Sequence, residues 1–439
     1  MPLNWAFLAA QLYFADKKPD DSRTDYSFVT QHSWQKRDAM PDHDRAIGSG
    51  SGISCGHRTR LIRPWPFWMA SMAVCCLVTA SSGYGQSLPA AAGGENATVT
   101  VIQAQEMVSR ATLGAVRWSG PVSGPQALRG KSIALVAEDL RNGGIVGVAQ
   151  GAREAAKAMG WTLKIFDGAG TSAGRTKAFS DALATKPDGL ILCGADALEN
   201  KAALTLFADK EVPVVGWHVG VRPGPIDGTP VAMNVTTDPL EVARLTAMAA
   251  VAQSNGHAGV VILTDSKYSI AMAKAKAMEN VIRACRECTL LEVRDVAISE
   301  SSEKMPVITK ELLQRHGKRW THTLAINDIY FDYSIASLTS AAVPSDGLSL
   351  LSAGDGSASA FLRIQAKTYQ TVTVAEPLNL HGWQVMDELN RLFAGQPVSG
   401  FVAPVHLVNA DNITLDGGEK FQYDPDNGYR DIYRHQWNP

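Results

Sequence analysis

The chain has 439 residues, 45% of them hydrophobic and 19% charged, with 41 Lys and Arg against 43 Asp and Glu. That balance excludes a largely disordered chain and a surface basic enough to track nucleic-acid phosphates, and six cysteines in this length do not make a disulfide scaffold. At ~150 residues per domain the length suggests about three units, but Trp5, Trp34, Trp65 and Trp68, out of ten tryptophans, crowd the opening segment and set it apart.

Residues 1–60 hold no sustained period of 3.6 or 2 and read as disordered or as lying upstream of the true start, with Met40 the candidate start. Arg58, Arg60 and Arg63 then precede an uncharged run from Phe67 to Ala80, and small and turn residues follow. A basic flank, a short apolar core and a small-residue exit predict a secretory signal peptide over 61–85, cleaved between Ser82 and Ala92 with Gly85/Gln86 one candidate site. The core falls short of the ~20 residues of a spanning helix. The alternative, a buried helix, sits badly with three arginines before the run. Cys75 and Cys76 invite lipidation, but Val74 stands where a small residue is expected. In the extension 86–130, VIQAQEMVSRA (101–111) predicts a short helix, and 117–130 is rich in turn residues.

From Lys131 the pattern becomes regular. Apolar runs at 132–138, 163–166, 189–194, 212–217, 259–264, 322–327, 348–353 and 370–375 predict strands, and LLEV (290–293) reads as another. Amphipathic stretches at 146–160, 174–184, 238–253, 270–285 and 378–395 predict helices, the first stopping at Gly160. Near-continuous apolar strands alternating with helices mean parallel sheets covered on both faces. The expected fold class is α/β, with two doubly wound parallel-sheet lobes and the 117–130 turns lying across the first of them.

Two motifs invite catalysis. GTSAG (170–174) matches a nucleophile elbow with Ser172, which would make a secreted serine hydrolase. Asp167, Gly168 and Ala169 separate it from the strand, and no histidine is a distinctive partner, so the favoured reading is a helix capped by Thr171 or Ser172. GAGTSAG (168–174) has dinucleotide-loop glycines one residue too far apart, after the wrong strand. Cys285 and Cys288 close a helix instead of opening one, and no further ligands complete a zinc site, so an exported chain favours a disulfide between them. Cys193, inside an apolar strand, reads as a buried thiol. No metal or cofactor is expected.

Ligands of open parallel sheets bind beyond the strands' C-terminal ends. There the sequence offers Asn142, His218, Asn327, Asp328, Asp355 and Glu376, with helix capping a competing role for Asp328 and Asp355. Their recurrence at equivalent places in both halves favours a shared cleft.

Taken together, KSIALVAEDLRNGGIVGVAQGAREAAKAMGW, KPDGLILCGAD, VPVVGWH, AINDIYFDYSIASL, LSLLSAGDGSASA and TVTVAEP, between about residues 131 and 412, resemble a periplasmic solute-binding protein of the ribose/galactose-binding kind, the type I periplasmic binding fold. The resemblance implies chain crossings near Asn234–Asp238, Ala375–Pro377 and Val405–Asn412. It divides the chain into an N-terminal lobe (131–236 plus 377–405) and a C-terminal lobe (237–376 plus 406–439). It implies ligand contacts at Asn142, at His218 in place of an Asp-Arg pair, at Asn327 and Asp328, at Asp355, and at Ala375 or Glu376. Gly144 and Ile145 replace the family's stacking aromatics, with Trp217, Tyr330 or Trp383 as substitutes. Met272 or Lys274 replaces an arginine.

The implied protein is an exported, periplasmic component of an ABC importer, a monomer without stable membrane insertion. It closes by hinge motion on a small sugar or polyol and partners a permease and its ATPase subunits. Acidic residues without a matched arginine leave a cationic amine, held by cation–π contact, as the alternative ligand. A periplasmic sensor for a receptor or kinase is the alternative role. A DNA-binding regulator would need a helix pair where the export signal stands.

Overall fold

The computed structural model describes residues 98–438, apart from 115–116 and 418–419. The expected disordered segment 1–60, the Met40 start, the signal peptide 61–85, its cleavage site and Cys75 and Cys76 lie outside the described residues.

The described chain opens with helix α1 (Val101–Ala111), capped by Thr100, whose side chain accepts from Gln103 N. Strands β1 (Ser132–Ala137), β2 (Thr162–Asp167), β3 (Gly189–Cys193), β4 (Val214–Trp217) and β5 (Val231–Val235) then form a parallel five-stranded sheet in the order β2-β1-β3-β4-β5. Helices α2 (Gly143–Met159), α3 (Ser172–Ala184) and α4 (Lys201–Ala208) connect them. Every residue of β3 and all of β1 but Ser132 are buried, as strands covered on both faces must be. The Asn142 side chain caps α2 by accepting from Gly144 N at 2.9 Å, and Gly160, at φ 69°, ends it in the left-handed conformation. Thr171 caps α3 by accepting from Gly174 N at 3.0 Å. Ser172 is therefore the exposed first residue of an ordinary helix and not a nucleophile elbow.

After α5 (Pro239–Gln253) come β6 (Gly259–Thr264), α6 (Ser269–Ala284), β7 (Thr289–Asp295), α7 (Ser301–His316), β8 (His322–Ala325), α8 (Ile329–Ser340), β9 (Ser349–Ser352), α9 (Ala358–Gln365) and β10 (Gln370–Ala375). Helix α10 (Leu378–Phe393), strand β11 (His406–Asn409) and helix α11 (Tyr429–Trp437) complete the chain. The second sheet has six strands in the order β11-β10-β9-β8-β6-β7, parallel except for β11. The expected α/β class with two doubly wound sheets is what the chain adopts. In each sheet the order reverses at the first strand, between β1 and β3 and between β6 and β8.

The chain passes between the lobes after β5, after β10, and again between Phe401, packed in the first core, and Val405, packed against the second. Helix α10 packs mainly against α2, and also on β4, β5 and α11, all on the first lobe's side. The tail, expected as one piece of the second lobe, divides: β11 pairs with β10, whereas α11 packs on α10 and α2. The extension also divides. Ala104 of α1 is buried in the second core, while Trp118 packs on Phe401 and Tyr433 of the first lobe, with ring centroids 5.1 and 5.5 Å away. Cys285 and Cys288 are bonded at the end of α6, with Cα atoms 5.3 Å apart, and Cys193 is a fully buried free thiol. Among the described residues no helix is long and apolar enough to cross a membrane.

Candidate functional site

The two crossover points face each other and enclose a cavity of about 60 Å³. From the first lobe come Glu138 and Asp139 after β1, Asn142 and Ile145 at the start of α2, and Trp217 and His218 at the end of β4. From the second come Tyr268 and Lys274 around the start of α6, Asn327 after β8, and Asp355 after β9. The lobes are in contact: a Cβ on Gly144 would lie 2.1 Å from Asp355 Oδ2. Glycine at 144 is what lets a carboxylate of one lobe approach the backbone of the other. Side-chain bonds cross the cleft, among them Tyr268 OH to Glu138 Oε1 at 2.8 Å and Ser269 Oγ to Asp196 Oδ2 at 2.5 Å.

Beneath the cavity lies a buried polar network. His218 has φ 53°, uncommon for a residue with a Cβ. Its Nε2 sits 2.9 Å from Glu376 Oε2 and 2.8 Å from Oε1, and its Nδ1 sits 3.7 Å from Asp355 Oδ1. Asn327 Nδ2 donates to Asp355 Oδ2 at 2.8 Å. Lys274, 3% exposed, donates from Nζ to Ala353 O at 2.8 Å. Trp217 Nε1 donates to His381 Nδ1 at 3.1 Å. Burial holds the His381 ring down at about 4, so it is neutral at neutral pH and able to accept.

The two carboxyls respond differently to the same neighbours. Burial alone would push Glu376 up, but His218, then Lys274 and His381, outweigh it and hold Glu376 at about 2. Burial wins at Asp355, raising it despite His218 and Lys274, with Glu376 and Asp328 adding to the rise. Ligand atoms of His218, Asp355 and Glu376 lie within 4.8 Å of one another, a donor set that could hold a metal ion. The Lys274 ammonium, however, lies near them: a Cβ on Gly354 would be 3.4 Å from Lys274 Nζ and 3.6 Å from Glu376 Oε1. A cation this close, pulling both carboxyls down, disfavours a second one between them.

The residues expected from the sequence part into two groups. Asn142, Ile145, Trp217, His218, Asn327 and Asp355 line the one cavity. Glu376 lies behind His218, fully buried. Asp328 turns into its own lobe, accepting from Gly356 N at 2.8 Å, Ser357 N at 3.0 Å and Gln370 Nε2 at 2.9 Å. Tyr330 is buried with its hydroxyl donating to Val296 O at 2.7 Å. Trp383 packs on Trp437 with centroids 5.2 Å apart, away from the cleft, which leaves Trp217 the stacking candidate that reaches the cavity. Lys274, not Met272, faces the cavity; Met272 is 45% exposed. The expected acid-rich wall thus carries a cation. Glu138, Asp139 and Tyr268 were absent from the expected set, although Glu138 ends its apolar run where the strand-end rule applies.

Two α/β lobes closing at paired crossover points over a cavity lined by apolar side chains and a few polar groups define a cleft-type binder of small molecules. The model of the periplasmic binding protein domain matches residues 133–397, and the chain belongs to that family. No curated protein matches the chain. Solved structures do. A galactofuranose binding protein is 17% identical, with TM-score 0.57, over 66% of this chain and 99% of that one. An ABC transporter solute binding protein from Agrobacterium vitis with bound allitol is 17% identical, with TM-score 0.56, over 66% and 98%. The periplasmic binding protein component of the arabinose ABC transporter from Shewanella sp. ANA-3 is 15% identical, with TM-score 0.57, over 69% and 97%. At these identities the likeness establishes the fold.

Proposed function

We propose that this protein is the exported, periplasmic solute-binding component of an ABC importer, and that it closes on a small sugar or polyol held between its lobes. The observation that carries the reading is the cavity itself. Amides and charged groups from both lobes converge there beside the Trp217 indole, a set suited to hydroxyl groups. The structural neighbours that hold furanose sugars or allitol support the same ligand class. Lys274 on the wall argues against the cationic-amine alternative, because a second cation would meet it there. Membership of the family supports delivery to a permease and its ATPase subunits, and we read the protein as a monomer. Export is supported by the signal-peptide pattern over 61–85.

A thermal-shift screen over sugars, polyols and quaternary amines tests the ligand class. A bound ligand adds about 2.7 kcal/mol at a hundredfold excess over its dissociation constant. Stabilisation by a sugar or polyol is the expected result; stabilisation by quaternary amines alone would overturn it. Sequencing the N-terminus of protein from the native host tests export, with a start between Ser82 and Ala92 expected.

A further inference from the structure

Glu138 is the first residue past β1, only 4% exposed, and it stands on the cavity wall. Its Oε1 is engaged twice, by Arg175 Nη1 at 2.7 Å from its own lobe and by the Tyr268 hydroxyl at 2.8 Å from the other lobe. Its Oε2 has no hydrogen-bond partner among the described residues. The other carboxylates of the wall are more fully used. Both oxygens of Asp139 are taken by Arg141, at 2.9 and 2.6 Å. Asp355 has Oδ2 on Asn327 and Oδ1 near His218. A buried acceptor without a partner opposes closure unless the enclosed ligand supplies a donor. The Tyr268 bond, for its part, spans two lobes, so it forms only when they close.

We propose that Glu138 couples recognition to closure: Oε1 latches Tyr268 across the cleft, while Oε2 accepts a hydroxyl hydrogen from the enclosed sugar or polyol. The proposal rests on the sugar-or-polyol reading above. Arg175 holds the carboxylate in place on the cavity wall through Oε1, which leaves Oε2 without a partner. A ligand lacking the matching hydroxyl leaves Oε2 buried and unpaired, which is how a site built to bond a hydroxyl rejects its deoxy analogue. The Ser269–Asp196 bond at the same edge holds the lobes together independently of the ligand.

The test uses allitol, D-tagatose and L-arabinose as probes, with affinities from calorimetry and rates from stopped-flow tryptophan fluorescence. For a probe that binds the wild type, Tyr268→Phe should raise the dissociation rate about tenfold with little change in association. Glu138→Gln should weaken affinity about a hundredfold, because its amide oxygen can keep the bond from Tyr268 while its NH2 replaces Oε2 and cannot accept a hydroxyl hydrogen. The double variant should be weaker than either single variant, because the latch and the ligand contact are then both lost. Glu138→Asp, which keeps the charge but shortens the reach, serves as the second variant where Glu138→Gln does not fold, and should also lose affinity. Unchanged affinity in the position-138 variants, with the wild type binding, overturns the proposal. An unchanged dissociation rate in Tyr268→Phe overturns the latch. A wild type that binds none of the probes while binding quaternary amines overturns the sugar-or-polyol reading, and the proposal with it.

Discussion

The ring of His218 lies flat on that of Trp217, with centroids 3.8 Å apart and planes 5° apart. One face of the indole is therefore covered by protein, and a sugar ring can stack only on the other. The same imidazole reaches Glu376 with one nitrogen and approaches Asp355 with the other. The aromatic platform and the polar contacts of the cavity are one buried unit, so substitutions within it should combine non-additively.

Asp355→Asn tests the cavity as the binding site. The change keeps the shape but removes the negative charge that Lys274 and His218 face, and it aims an amide at Asn327 Nδ2. Ligand-induced thermal stabilisation should vanish, while the unliganded protein loses about 1–3 kcal/mol. A full ligand-induced shift in this variant would place the ligand elsewhere.

Gly382→Ala tests the contact that fixes the first lobe's largest helix pair. A Cβ there would lie 2.4 Å from Ala152 N and 2.5 Å from Val148 O, so α10 would be pushed off α2. Overpacking of this kind costs about 1–3 kcal/mol. Urea unfolding should show the loss, and a variant as stable as the wild type would contradict the close approach.

Acid should destabilise the protein through buried imidazoles. His322 is 7% exposed, and burial lowers it from 6.5 to about 4; burial likewise lowers His381 to about 4. The unfolded chain takes these protons first, so the stability they carry is intact above pH 6.5 and is lost as pH falls toward 4. Each site contributes a slope approaching ~1.4 kcal/mol per pH unit in that window. Urea midpoints measured across it should fall, and His322→Gln should flatten the fall. An unchanged slope in that variant would remove His322 from the account.

The sheets were legible because their strands are continuous apolar runs, such as GLILCG and GVVILT, which only burial on both faces explains. Strands β5 and β11 were less visible, since VAMNV and HLVN are short and interrupted by polar residues. Helix α7 carries Pro306 inside it, which reads as a breaker because it removes one intrahelical hydrogen bond, yet the helix runs on to His316. At the site, the strand-end rule found Asn142, His218, Asn327 and Asp355 because β1, β4, β8 and β9 all end at the cavity. It also picked Glu376, whose strand, β10, ends in the crossing segment behind His218. Asp328 looked equivalent to its neighbour Asn327, yet its side chain is drawn inward by the amides of Gly356 and Ser357. Tyr268 was not legible, since its role depends on how the two lobes meet.

Lys274→Met should be costly in a way that depends on pH. The ammonium is buried with Asp355 and Glu376 and pulls both carboxyls down. Without it, the two acids share a buried site with His218 and His381 alone, and breaking such a set costs about 3–5 kcal/mol. The sign follows from Asp355, whose folded value is already above 3.8 and would rise further. A carboxyl raised by folding holds its proton in the folded state, so its penalty is absent at low pH and grows as pH rises through the raised value. The deficit of the variant against the wild type should therefore be larger at pH 8 than at pH 5 in urea unfolding. A deficit independent of pH would mean that Lys274 acts through packing of its alkyl stem, not through its charge.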